Sequence, residues 1–160
     1  MIRTLCYFLL FSIFLACNNP TRKINIQTTS TDSLFDSILA KKYGADDYGM
    51  KKYVIAFLKR GPNRSQDSIT KIELQRAHLN NINKLAEDGK LVLAGPFFGN
   101  ENLRGIYIFD VKSIKEAEIL TNSGPAIQAG SLIMELKEWY GSAALMGINE
   151  IHKKISKIEI

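Results

Sequence analysis

Tyr53-Val54-Ile55-Ala56-Phe57-Leu58 is the stretch on which the fold turns. An unbroken apolar run rich in aromatic and β-branched residues, cut off by Gly61-Pro62-Asn63, reads as a strand. Side chains of a strand alternate between its faces, so Tyr53, Ile55 and Phe57 share one side and Val54, Ala56 and Leu58 the other. Both faces are apolar. A strand of this kind needs cover above and below.

Outward from it, the punctuation defines five more elements. A helix is expected over roughly 69–86, stopped by Asp88-Gly89, with Leu74, His78, Ile82 and Leu85 on one stripe. Residues 91–94 form a second strand, ended by Gly95-Pro96. After a turn at Gly99-Asn100, residues 105–109 form a third, again apolar on both faces, Ile106 and Ile108 against Tyr107 and Phe109. Ser113-Ile114-Lys115-Glu116 is a capping box that opens a second helix running to about Thr121, and Gly124-Pro125 stops it. Residues 132–139 complete the set as a strand with Trp139 opposite Leu132, Met134 and Leu136.

The order β-α-β-β-α-β is the split βαβ pattern of an α+β, ferredoxin-like fold with one antiparallel sheet. Right-handed crossovers place both helices on one sheet face, which leaves the other apolar face in need of a partner. The simplest cover is the same sheet of a second copy, a homodimer. The competing cover is a pair of flanking helices. One lies within 31–48, where Leu34, Phe35, Ile38 and Leu39 recur between an Asp32 N-cap and Gly44, and is expected to dock on the main domain. The other is a helical extension over 142–160 carrying Leu145, Ile148, Ile151 and Ile155. The main domain between them is placed at 49–141.

The N-terminal residues read as a processing signal. Leu5 begins an apolar run of twelve residues ending at Ala16. As a helix it would span about 18 Å, short of a hydrocarbon core of about 30 Å, which fits a signal-peptide core better than an anchor. Phe14-Leu15-Ala16-Cys17 resembles a bacterial lipobox, with Phe14 where Leu is usual. That resemblance implies a signal peptide over 1–16, lipidation at Cys17, a tether over 17–30, and a domain held by its lipid at the cell envelope, on the periplasmic side. An ordinary secretory signal and a weak membrane helix are the alternatives. If Cys17 is lipidated and Cys6 leaves with the signal, no thiol remains for catalysis or a disulfide.

With 160 residues, 46% of them hydrophobic and 23% charged, the chain has the make-up of one ordinary globular domain. Two Cys and two His are too few for a Cys/His zinc site or a disulfide scaffold. The net charge of +5 comes without a dense basic run, so nucleic acid is not the expected partner. No carboxylate and histidine cluster has metal-ligand spacing, Gly61-Pro62-Asn63-Arg64 lacks phosphate-loop spacing, and no cofactor is expected.

Four segments resemble the YCII-related family: Lys52-Tyr53-Val54, Arg76-Ala77-His78-Leu79, Gly89-Lys90-Leu91-Val92-Leu93-Ala94-Gly95-Pro96, and Gly124-Pro125-Ala126-Ile127-Gln128-Ala129-Gly130. They fall in order over roughly 50–140. The resemblance implies a dimeric α+β barrel and an active site built from the first-helix histidine and an aspartate just before the later proline. His78 stands at the histidine position and is the candidate catalytic acid or base. Gly124 stands where the aspartate would be. Without that carboxylate the imidazole is expected to be a weaker base that titrates near the ordinary value of about 6.5.

Around His78 the candidate ligand-binding residues are Arg76 for an anion, Gly95, Pro96 and Phe97 for a pocket wall, Asn122 and Ser123 for hydrogen bonds to the ring, and Trp139. Trp139 could instead pack a dimer interface. Each has a plainer reading as core or solvated surface, and His152 reads as a solvated residue favoured by its helix C-terminus. Two functions follow: a small-molecule binding protein without catalysis, or a lyase- or hydrolase-type enzyme using His78.

Overall fold

The central strand forms, and it is longer than its apolar run. A computed structural model describes residues 34–158. Its elements in order are α1 (Ser37–Tyr43), β1 (Met50–Arg60), α2 (Ser68–Glu87), β2 (Leu91–Pro96), β3 (Leu103–Phe109), α3 (Ile114–Asn122), α4 (Pro125–Gln128), β4 (Leu132–Ser142), a 3-10 turn (Ala143–Gly147) and α5 (Ile148–Ile155). The expected signal peptide, Cys17, the tether and the Asp32 cap lie outside the described residues.

The sheet order is β2-β3-β1-β4 with every neighbouring pair antiparallel, the ferredoxin-like arrangement of an α+β fold. β1 pairs with β4 along its whole length, from Met50 opposite Ser142 to Arg60 opposite Leu132. On its other side Val54 faces Phe109 and Ala56 faces Tyr107.

Alternation then sorts the side chains. Val54, Ala56, Leu58, Tyr107 and Phe109 form the core under the helices, closed by Leu85 of α2 and Ala117 of α3. Ile55, Phe57, Ile106 and Ile108 take the other face. One extra residue, Val92, bulges β2 between Leu91 and Leu93. Val92 and Leu93 thereby both join the second cluster with Tyr53 and Ile108.

That second face is covered at one end only. Leu145 and Met146 of the 3-10 turn pack against Tyr53, Val92 and Ile108. Helix α1 packs chiefly on the turn, with Tyr43 lying where a Cβ on Gly147 would be only 2.7 Å from its hydroxyl. Lys42 of α1 also pairs with Glu150 of α5 at 2.7 Å. Ile55, Phe57 and Ile106 stay half-buried, and Ile133 and Trp139 are 48% and 38% exposed.

Several boundaries move for local reasons. α1 is capped by Asp36, whose Oδ1 accepts from the N–H groups of Ile38 and Leu39 at 2.9 Å, so Leu34 and Phe35 precede the helix. Its other end is Gly44 at φ 67°, as expected for a left-handed cap. Gly95 and Pro96 are the last two residues of β2, paired with Ile106 and Gly105, so the strand ends at Pro96 and not before Gly95. β2 is an edge strand, where a proline need not donate on its solvent side. Gly124, extended directly after the Ser123 cap of α3, breaks the helical path as expected, and it also caps α4, with Pro125 in its first turn.

The 61–66 segment is fastened to the chain before β4. Gly61 donates to Ser131 at 2.9 Å and Asn63 to Gly130 at 3.0 Å. A Cβ on Gly61 would lie 2.1 Å from the Gly130 carbonyl oxygen, so only glycine fits. Gly61→Ala is expected to force these two backbones apart and to destabilise the protein by about 1–3 kcal/mol. A urea-midpoint shift measures this, and a midpoint equal to wild type would show that the approach is looser than described.

Candidate active site

Helix α2 begins at Asp67, whose side chain accepts from Thr70 N–H at 2.9 Å, and this start sets which residues face the sheet. Leu74, His78 and Ile82 are half-buried and Leu85 is buried, on the stripe their spacing predicts. Opposite them is Tyr107, 3% exposed. Its cross-strand neighbours are Ala56 and Ala94, so small residues flank the phenol ring on both sides. Tyr107 Oη and His78 Nε2 are 3.2 Å apart, and the rings are near parallel at 21° with centroids 6.1 Å apart. Phe109 meets the other side of Tyr107 edge-on at 5.7 Å.

Burial governs the chemistry of this pair. It lowers the His78 pKa from 6.5, because the charged imidazolium loses water, and raises that of Tyr107 far above the ordinary phenol value. The expectation that His78 titrates at its ordinary value is therefore corrected downward. The ring stays neutral at neutral pH. The contact is a hydrogen bond in either tautomer of the neutral ring, with the phenol donating to Nε2 or Nε2–H donating to the phenol oxygen.

His78 lines a cleft of about 270 Å³ between the first half of α2, the 60–66 and 99–104 segments and the start of β4. The 99–104 segment is held by arginines: Arg60 Nη2 donates to the Asn100 carbonyl at 2.7 Å, and Arg104 Nη1 to that of Gly99 at 2.7 Å. Arg64 Nη1 donates to the Ser131 carbonyl at 3.3 Å. Lys71 stands on the first turns of α2.

The other sequence candidates do not gather here. Arg76 is exposed on α2 and does not line the cleft. Gly95, Pro96 and Phe97 lie at the edge strand and its exit, and Phe97 is 44% exposed. Asn122 borders a separate hollow of about 300 Å³ with Thr121 and Ile127, and the Ser123 hydroxyl donates to the Leu120 carbonyl. Neither bonds the imidazole. Trp139 is opposite Tyr53, on the sheet face away from His78, with its indole where a Cβ on Gly141 would be. It cannot floor this cleft. Among the described residues no group of three or more His, Cys, Asp or Glu could hold a metal ion, and no helix is long and apolar enough to cross a membrane.

Sequence reasoning missed Tyr107, Arg60, Arg64, Lys71 and Arg104. Tyr107 was legible from its parity with Phe109 and the alanines beside it. Arg104 was not, because it is the extra residue of a bulge: Leu58 faces Gly105 but Lys59 faces Leu103. Strict alternation would give Arg104 the side of Ile106 and Ile108, whereas it lines the cleft.

Compared with known families, residues 53–140 match the model of the YCII-related domain. The chain belongs to the YCII-related family. Among solved structures it is similar to the 5-chloro-2-hydroxyhydroquinone dehydrochlorinase (TftG) of Burkholderia phenoliruptrix AC1100 in complex with 2,5-dihydroxybenzoquinone. The identity is 19% and the TM-score 0.41, over 54% of this chain and 92% of that one. No curated protein matches the chain.

In this YCII-related domain position 124 faces α2. A Cβ on Gly124 would lie 3.0 Å from the Thr121 carbonyl oxygen and 3.7 Å from Asn81 Nδ2, one helical turn beyond His78. Gly124→Asp is expected to raise the His78 pKa by favouring the imidazolium. NMR titration reads it, with exposed His152 as internal reference. An unchanged His78 would show that position 124 does not sense the ring.

Wild-type stability carries a related signature. The folded pKa of His78 is depressed, so its contribution is complete above about pH 6.5 and is lost as pH falls through the folded value. In His78→Gln this part of the acid slope should be absent in denaturant titrations. An identical slope in both proteins would contradict the burial of the ring.

Proposed function

We propose that this YCII-related protein binds a small organic molecule in the cleft beside His78, as a homodimer tethered to the cell envelope through Cys17. The observation that carries the binding reading is the concave site itself, where a half-buried neutral imidazole, locked onto a buried tyrosine, meets a ring of polar donors. Gly124 supports binding without catalysis, since no carboxylate there orients the imidazole or raises its basicity.

One observation favours the second reading, general acid–base catalysis by His78. The Tyr107 oxygen can accept from Nε2–H as an aspartate would, which leaves the Nδ1 lone pair of an uncharged ring to accept a proton at neutral pH. A small-molecule screen followed by NMR separates cleft binding from other binding. Ligands should move the His78 ring signals and leave those of His152 unchanged. Ligands that move only His152 would overturn the cleft reading.

The dimer reading rests on the sheet face that the 3-10 turn leaves uncovered. Tyr107 and Phe109 face the helices, so the residues that test it are on the opposite parity. Ile55 stands between Ile108 and Lys137. Ile55→Glu places a carboxylate opposite Lys137, which a folded monomer tolerates and a dry interface does not. Residues 31–160 should be dimeric by light scattering and the variant monomeric. A monomer before substitution rejects the proposal.

The anchor reading rests on Phe14-Leu15-Ala16-Cys17. Cys17→Ser should block processing or release the protein from membranes. Unchanged membrane fractionation would reject lipidation.

A further inference from the structure

We propose that the ligand of the cleft is a small organic anion, its carboxylate or phosphate held by Arg60, Arg64, Lys71 and Arg104 while the rest lies toward His78. The inference rests on the reading that the cleft binds a small molecule, and adds the charge class of what enters it.

The cleft lining contains four permanent cations and no Asp or Glu. Six ion pairs occur among the described residues, and none includes any of these four. The positive charge gathered here is therefore left without a carboxylate among the described residues.

The arginines are nevertheless positioned. Arg60 donates through Nε and Nη2 to the carbonyls of Glu101 and Asn100, Arg104 through Nη1 to Gly99, and Arg64 through Nη1 to Ser131. A carbonyl orients a guanidinium but does not cancel its charge. Each arginine carries five N–H donors. Arg60 Nη1 and Arg104 Nη2 have no partner among the described residues, so planar donors remain for an oxyanion. Lys71 Nζ likewise has none, and adds a mobile point charge. Because the arginines are already held, less side-chain freedom is lost on binding.

The rest of the lining is different. Leu74, Ala126 and Leu132 contribute to it together with neutral His78. A site that combines four cations with apolar side chains and one imidazole fits an anionic head on a compact organic body. At about 270 Å³ it has room for one ring or a short chain.

The test uses the full-length protein in neutral maltoside micelles, with benzoate, phenyl phosphate and uncharged benzamide as probes. The His78 ring signals are followed by NMR. Benzoate or phenyl phosphate should shift them saturably, and benzamide should bind at least about tenfold more weakly, the size of one lost charge-assisted contact. Added sodium chloride should weaken the anions and not benzamide. Lys71→Gln, which breaks no internal bond of that side chain, should weaken the anions several-fold with the spectrum otherwise retained. Benzamide binding as tightly as the anions would overturn the anion assignment and leave cleft binding standing. No His78 shift with any probe would overturn both. Which of the two anions binds more tightly decides between carboxylate and phosphate.

Discussion

β1 has no free edge. It is hydrogen-bonded to β3 on one side and to β4 on the other, and the rest of the domain is arranged around that fact. An interior strand must satisfy its backbone laterally, so its side chains alone decide what happens above and below the sheet. On one side Val54, Ala56 and Leu58 carry the helices. On the other Tyr53 is buried under the C-terminal turn, while Ile55 and Phe57 are only half-buried. The cleft grows out of the same strand: β1 ends at Arg60, and the chain turns at Gly61 against the backbone of Gly130 and Ser131.

Much of this was legible because it is local. Ser113 caps α3 by accepting from Glu116 N–H, one half of the capping box, while the Glu116 carboxylate accepts from Lys112 N–H, and Gly44 closes α1 in the left-handed conformation. The apolar stripe of α2 sets the direction of His78 by helical spacing alone. What could not be read depends on pairing between strands. Gly95 and Pro96 belong to the ladder as its last pairs because β2 is an edge, and Arg104 changes sides only because the β1–β3 ladder slips by one residue. Trp139 does stand on the side opposite Leu136, as alternation requires, yet which face holds the cleft depends on how the helices cross.

The same distinction separates the two halves of the site. The His78 position was reached through the resemblance and its helical spacing. Its partner was not, because the resemblance directs attention to position 124, where glycine leaves a gap. Tyr107 takes up the ring from below the helix instead. An imidazole bonded to a phenol differs from one bonded to a carboxylate: the phenol adds no negative charge, so burial is free to keep the ring neutral. The arginines escaped notice for a further reason. Arg60, Arg64 and Arg104 are scattered in sequence and converge only when β1, β3 and the segment before β4 are brought together.

The clasp between α1 and the C-terminal turn bears on mechanics. Tyr43 sits over Gly147, Lys42 holds Glu150, and the Tyr140 hydroxyl bonds the Asp46 carboxylate. Tension applied to the chain ahead of α1 thus enters the domain beside the place where its last helix leaves. It is shared between these contacts and the short chain that leads from α1 into β1. A pull on α1 therefore meets these contacts at the end of β1 away from Arg60 and the cleft.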